Sequence, residues 1–241
     1  MGPLLRLSLR QLAGRRRILI ILLLAALPVA LAAVISAVAD DNETYAGHFI
    51  DSLLDGMMVA AIMPIVTMAM ATATFGDEVS DRTLSYLVLK PVPRWLIVLP
   101  KMLAAVMVAG LLIIVSGVAA AILGLQGSFQ AVLAVGVALF AGVVAYSAIF
   151  TWAGLVTTRA LGFALIYVFL WEGLISSFLG GVRYLSVRSY TLAIMHGIDG
   201  EGFEVLESRV IEFPAAVVGA VAVTAVFFWL AVCRLRRMDV P

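Results

Sequence analysis

Six long apolar runs limit this chain to a fold that spans a lipid bilayer. A bilayer core about 30 Å thick requires a helix of roughly 20 apolar residues. Six runs meet or approach that length, at residues 18–39, 53–75, 96–125, 131–156, 161–179 and 214–233. Helices are expected because backbone amides in lipid must be satisfied within a segment, and the runs lack the alternation of barrel strands. The sequence therefore predicts an all-α membrane protein with six transmembrane helices, in a single transmembrane domain over residues 1–241.

Composition supports the same class. The chain is 63% hydrophobic and 13% charged, whereas soluble domains are about 45–50% apolar and about 25% charged. A soluble protein of this length would have too few polar groups to cover its surface. The third run is interrupted near its start by Pro100 and Lys101, and we expect Arg94 and Lys101 to lie at the lipid headgroups there.

The distribution of basic residues predicts the orientation. If the chain crosses six times, thirteen of its sixteen Lys and Arg residues fall on one side, and cytoplasmic loops carry such an excess. The opposite side receives only Arg183, Arg188 and Arg209. We therefore expect a multi-pass protein of the inner (cytoplasmic) membrane with both termini in the cytoplasm.

The first run has a competing interpretation as a secretory signal, since three arginines precede it and Ala37-Val38-Ala39 resembles a cleavage site. The run is longer than the 7–15 residue core of such signals. We expect a retained anchor. The arm before it, residues 1–17, places Leu5, Leu9 and Leu12 on one face, which predicts an amphipathic helix at the membrane interface.

The longest polar excursion, residues 181–213, is predicted to lie outside. Its apolar residues suggest one or two interfacial or re-entrant helices, with a turn between Gly197 and Gly202. This external segment could be a gate, or a loop that rests on the lipid headgroups.

Motifs for enzymatic chemistry do not occur in the sequence. There is no G-x-x-x-x-G-K-[ST] phosphate loop, no H-E-x-x-H and no G-x-S-x-G. His48 and His196 fall in predicted external loops beside acidic residues, where solvated side chains are expected rather than a metal site. Cys233 is expected to be a passive thiol at a helix end. We expect no catalytic residues, no cofactor bound by this chain and no nucleic-acid partner.

Glu172 lies well inside the fifth run, beside Trp171 and Gly173. An ionisable group at such depth is costly, so it is by default a candidate functional residue. It could contact substrate on a transport pathway, bind a proton or cation, or form a hydrogen bond with a neighbouring helix. It could equally lie close enough to the outer interface to be hydrated.

The second cytoplasmic connection, residues 76–95, carries the most specific pattern. Glu78 and Arg82 are four residues apart with the acid first, which favours a helical ion pair. Leu84 and Leu87 share a face of the predicted short helix, and Pro91 ends it. A short amphipathic helix between two spans suits docking to a cytoplasmic partner, or resting on the interface.

This connection resembles the loop of type-2 ABC exporter permeases. The resemblance rests on Glu78-x-x-x-Arg82-Thr83-Leu84-x-x-Leu87, followed by Pro91-Val92-Pro93-Arg94 and then Lys101. Glycines and a serine of the family pattern are replaced here by Arg82, Pro93 and Pro100, which weakens any assignment to a subfamily. The six predicted spans, cytoplasmic ends, basic arm and long external segment extend the resemblance over the whole chain.

The resemblance implies a partner and a mechanism. In this family the loop is a coupling helix seated in a separate ATPase (nucleotide-binding) subunit, which binds ATP and Mg, while the arm is a connecting helix along the inner leaflet. Two permeases and two ATPases form the working unit, so a second copy of the chain, as a homodimer, and membrane lipids are further expected partners. The residues that this places in ATPase coupling are Glu78, Arg82, Thr83, Leu84, Leu87, Pro91 and Arg94.

Two alternatives belong to other classes. The first is a membrane-embedded enzyme such as an intramembrane protease, which would need a catalytic constellation at membrane depth. The second is a non-transporting assembly or immunity factor with the same fold.

Overall fold

The helices account for almost the whole described chain. The computed structural model describes residues 2–12, 14–38, 52–80, 93–124, 128–157, 160–175, 180–203, 206 and 211–237. These residues contain no strand. The elements are α1 (Gly2–Leu12), α2 (Arg15–Val38), α3 (Leu53–Ile62, a π-helix), α4 (Met63–Ser80), α5 (Trp95–Gly124), α6 (Phe129–Val156), α7 (Ala160–Ile166), α8 (Tyr167–Ile175, a π-helix), α9 (Gly180–Leu185, a 3-10 helix), α10 (Val187–Ile198) and α11 (Phe213–Arg236).

Among the described residues, five helical segments are long and apolar enough to cross a membrane, namely Arg17–Ala37, Leu53–Gly76, Trp95–Gly124, Phe129–Val156 and Phe213–Arg236. The all-helical class is thus confirmed. The predicted fifth span, residues 161–179, corresponds to α7 and α8, and its apolar helix Ala160–Trp171 is shorter than the other five. The sixth crossing stays a prediction.

The interruption of the third apolar run at Pro100 does not break the helix, because α5 runs through Pro100. The first amides of α5 bond to Pro93 and Arg94 in the preceding turn. Pro100, in the second turn, has no amide to bond to the carbonyl oxygen of Leu96, and α5 tolerates the loss of this one hydrogen bond. The third span is therefore a single helix.

The interior of the bundle lies around α4 and α6. In the most apolar stretch of Leu53–Gly76, 67% of the residues are buried, and in that of Phe129–Val156, 61% are buried. The corresponding share is only 22% in Arg17–Ala37 and in Phe213–Arg236. The first and last spans are thus peripheral, and α6 packs against α4, α5, α10 and α11.

One end of the bundle carries three exposed arginines at the end of α11. A cluster that includes Phe75, Ile97, Leu155 and Leu235 joins the end of α4, the start of α5, the end of α6 and the end of α11. The exposed Arg234, Arg236 and Arg237 lie beside it in sequence. We call this end the basic end.

The helix α1 buries the face that its leucines predicted. Leu12 is buried and Leu5 and Leu9 are partly buried against the core, whereas Arg6 and Arg10 are exposed. The helix packs mainly against α5. Its apolar face therefore meets protein, and its position at a membrane interface stays a prediction.

The external segment does not behave as a loop resting on headgroups, because α10 is buried between α6 and α11. The amide of Gln130, near the start of α6, donates to Ile198 at the end of α10 at 2.9 Å. Further along α6, a Cβ at Gly142 would lie 2.5 Å from the hydroxyl of Thr191. The helix α10 thus runs into the bundle with its first turn deepest.

At Gly154, α6 closely approaches the backbone of α4. A Cβ at this position would lie 2.8 Å from the backbone oxygen of Thr72 and 3.3 Å from its Cα. Backbone atoms cannot move aside as a side chain can, so an added methyl must separate the helices. We expect Gly154→Ala to lower the free energy of unfolding by about 1–3 kcal/mol, measured by thermal unfolding in detergent.

Gly136→Ala is the matched control in the same helix. A Cβ there would meet only the Cγ2 of Val118, at an ordinary 3.6 Å. It should leave stability unchanged or raise it slightly, because alanine favours a helix over glycine. Equal melting temperatures for the two variants would contradict the close packing.

Candidate functional site

A buried ion pair joins α4 to α5 at the basic end. The Nζ of Lys101 lies 2.6 Å from Oε1 of Glu78, and the two side chains are only 3% and 10% exposed. Glu78 lies in the last turn of α4, and Lys101 in the second turn of α5. The pair therefore joins the end of α4 to the start of α5, the two helices that the predicted coupling loop connects.

Lys101 makes two further contacts with α4. Its Nζ donates to the carbonyl oxygen of Thr74 and lies 4.5 Å from the ring centroid of Phe75. Taking an ammonium group out of water is expensive unless hydrogen bonds and an opposite charge compensate it. The sequence predicted Lys101 at the cytoplasmic headgroups, and that is wrong, since the whole residue is only 2% exposed.

Most predicted coupling residues lie outside the described part of the chain. These are Arg82, Thr83, Leu84, Leu87 and Pro91. Arg94 is described and half-buried in the turn before α5. The Glu78–Arg82 ion pair stays a prediction, while the described partner of Glu78 is Lys101.

A second ion pair holds the opposite end of the same helical run, residues 53–80. Nε and Nη2 of Arg188 donate to Oδ1 of Asp55 at 3.0 and 2.6 Å. Asp55 belongs to the π-helix α3, and Arg188 to the first turn of α10. Two bonds from one guanidinium fix direction as well as distance, so α10 is tied to α3.

The remaining candidates are Glu172, His196 and His48. Glu172 belongs to the π-helix α8. His196 lies with its Nδ1 3.1 Å from the carbonyl oxygen of Phe203, and Oδ1 of Asp199 accepts from the amide of Gly202. These contacts close the turn after α10. His48 lies outside the described residues.

The sequence marks one residue of each ion pair, but local patterns do not show which residue it pairs with. Asp55 and Lys101 each interrupt an apolar run, and an ionisable residue inside a span is a candidate functional residue. Their partners are 133 and 23 residues away in sequence. Only the packing of helices shows which charges meet.

A comparison with known protein families matches residues 13–195 to the family described as ABC-2 family transporter protein. The chain belongs to this family. It is the permease of a type-2 ABC transporter, a membrane transport component and not an enzyme by itself. The match confirms the family that the loop around Glu78 and Lys101 indicated. A search among curated proteins finds none that matches the chain.

The basic-end ion pair of this ABC-2 permease can be tested by removing one charge. Lys101→Met leaves the buried carboxylate of Glu78 without its ammonium partner. Breaking a buried pair in this way costs about 3–5 kcal/mol. We expect a large loss of stability in detergent, measured by thermal unfolding.

The double variant Glu78→Gln, Lys101→Met is the control, since it removes both charges and keeps similar side-chain volumes. It should be more stable than Lys101→Met alone. If the single variant equals the natural chain, the two residues are not paired in the folded protein.

The Asp55–Arg188 pair should be less costly to break. The side chain of Arg188 is 23% exposed, against 3% for Lys101, so solvent screens this pair more. We expect Arg188→Ala to cost about 1–3 kcal/mol and to expose α10 to limited proteolysis. Arg183→Ala removes the same charge from the neighbouring α9, and this control should be cleaved at the same rate as the natural chain. Equal cleavage of both variants would count against the tie between α10 and α3.

Proposed function

We propose that this chain is the membrane half of an ATP-driven exporter. In this proposal two copies form the substrate pathway as a homodimer, and each is driven by a separate ATPase subunit that binds ATP and Mg. The family match to ABC-2 transporters supports a transport role. The basic end faces the cytoplasm of the inner membrane, in keeping with the asymmetry of Lys and Arg.

The observation that carries the proposal is the Glu78–Lys101 pair. The loop of residues 81–92 leaves α4 and returns to α5, and the pair ties these two helices at its base. If α4 and α5 were not held together at the loop, a displacement of the loop would be lost in local rearrangement. Because the ion pair holds the two helices together, the displacement would move both of them.

The route beyond α4 follows close helix contacts at two glycines of α6. The backbone of α6 at Gly154 meets the backbone of α4 at Thr72, and Gly142 meets Thr191 of α10. The Asp55–Arg188 pair links α10 back to the same helical run, residues 53–80. Movement that begins at the loop would thus reach the opposite end of the membrane through packed elements, which is the physical requirement for coupling over such a distance.

This proposal separates two roles that the sequence assigned together. Glu78 is buried against Lys101, so we assign it to holding the base of the loop. Contact with the ATPase falls to the loop itself, in particular to Leu84 and Leu87. Glu172 remains a proposed residue of the pathway.

The partner can be identified by gentle detergent extraction of the tagged chain, followed by mass spectrometry of the proteins retained with it. We expect a stoichiometric protein with a phosphate-binding loop and ATPase activity. Recovery of the chain with other partners under several mild conditions would overturn the proposal.

A single substitution then tests the docking surface. Leu84→Asp places a charge where an apolar contact is proposed, and should reduce co-purification of the ATPase by about tenfold or more. Gln11→Asp is the control, because Gln11 is an exposed residue of α1 and receives the same charge outside the loop. Both variants should insert into the membrane normally. An ATPase that still binds Leu84→Asp and is stimulated by it would show that the loop is not the coupling element.

A further inference from the structure

An apolar groove opens between α5, α6 and α11. Its volume is about 460 Å³, within the roughly 300–1,000 Å³ of small-molecule sites. Each helix contributes to its walls, which include Leu99, Met102, Phe140, Val144, Ala225 and Phe228.

The lining residues of the groove offer a ligand almost no polar contact. Thr224 supplies the hydroxyl of the lining, and that hydroxyl already donates to the carbonyl oxygen of Ala220 at 2.8 Å, which leaves only its capacity to accept. A polar molecule would lose most of its hydrogen bonds to water without replacing them, at a cost of several kcal/mol. The lining therefore selects hydrocarbon.

The groove extends from the middle of the bundle towards the basic end. Leu99 and Met102 belong to the first turns of α5, and Phe228 lies about two turns before α11 ends at Arg236. Beyond Phe228 the cluster that includes Ile97 and Leu235 closes the space between α5 and α11. A ligand must therefore enter from the side, where the bilayer lies.

Two polar side chains stand at this end of the groove. Trp95 precedes Leu99 by one turn on the same face of α5, and its side chain is partly exposed. Arg236 follows Ala225 by about three turns on the same face of α11 and is exposed. Tryptophan is enriched at headgroup level, and a guanidinium binds phosphate through paired hydrogen bonds.

We propose that the groove binds one acyl chain of a membrane phospholipid, with the phosphate held at Trp95 and Arg236. The rim favours a lipid over a helix of a second copy. Phe140 and Val221 line the groove and are 52% and 64% exposed. A helix about 10–12 Å wide would rest on these side chains, whereas a flexible alkyl chain passes between them. This site is independent of the proposed coupling to an ATPase.

The test uses the full chain in vesicles of phosphatidylethanolamine and phosphatidylglycerol. A phosphatidylglycerol with a photoreactive diazirine in its acyl chain is the probe, and mass spectrometry locates the labelled peptides. We expect labelling of α5, α6 and α11 around Leu99, Val144 and Ala225. Labelling spread evenly over the exposed spans would overturn the proposal.

Ala225→Trp fills the groove and should reduce this labelling by about tenfold. Val226→Trp is the matched control, because Val226 is 51% exposed on α11 and does not line the groove. Equal labelling of both variants would refute the site, and so would cross-links between two copies at the groove residues.

Arg236→Gln leaves the groove open, so it still tests the proposal if Ala225→Trp fails to fold. It should weaken labelling by the phospholipid several-fold, but not labelling by an uncharged diazirine alkane. If both probes respond equally, the arginine does not hold the phosphate and the proposal fails.

Discussion

The rest of the structure depends on how one helical run, residues 53–80, keeps two carboxylates inside the protein. Removing a carboxylate from water costs several kcal/mol unless an opposite charge and hydrogen bonds compensate it. Glu78 and Asp55 are each met by a base from a different helix, Lys101 and Arg188. The run is thereby fixed at one end to α5 and at the other to α10. Sliding or rotating it would separate at least one charged pair, so its position and that of its neighbours are set together.

Close packing then joins the parts that the charges position. Helices in a bilayer gain little from the hydrophobic effect between them, so small residues that let backbones approach become important. Gly154 brings α6 against Thr72, and Gly142 brings it against Thr191. These contacts form one interior from α4, α6 and α10. The first and last spans lie outside it, and most of their residues are accessible. Motion driven at the loop is therefore expected to move the interior as a unit against the outer helices.

The sequence predicted those features that depend on local hydropathy. The fourth run, predicted at residues 131–156, is α6 at Phe129–Val156, and the sixth run, predicted at 214–233, is α11 at Phe213–Arg236. Prediction failed where distant residues decide. Lys101 looked like a headgroup contact because its neighbours in sequence gave it no acid, and the partner Glu78 lies across the loop. The helix α10 has apolar residues on several faces, and its burial required knowledge of α6 and α11.

Burial of Lys101 also changes which basic residues support the predicted orientation in the membrane. Lysine and arginine bias topology when they remain in the loops near the ends of spans, and Lys101 is enclosed by α4 and α5. Leaving it out of the thirteen basic residues on the predicted cytoplasmic side gives 13 − 1 = 12, still against three. Of those three, Arg188 is held by Asp55 inside the bundle, and leaving it out as well gives 3 − 1 = 2. Setting these two enclosed residues aside leaves twelve against two, so the predicted orientation does not depend on the charges that the structure places in the interior.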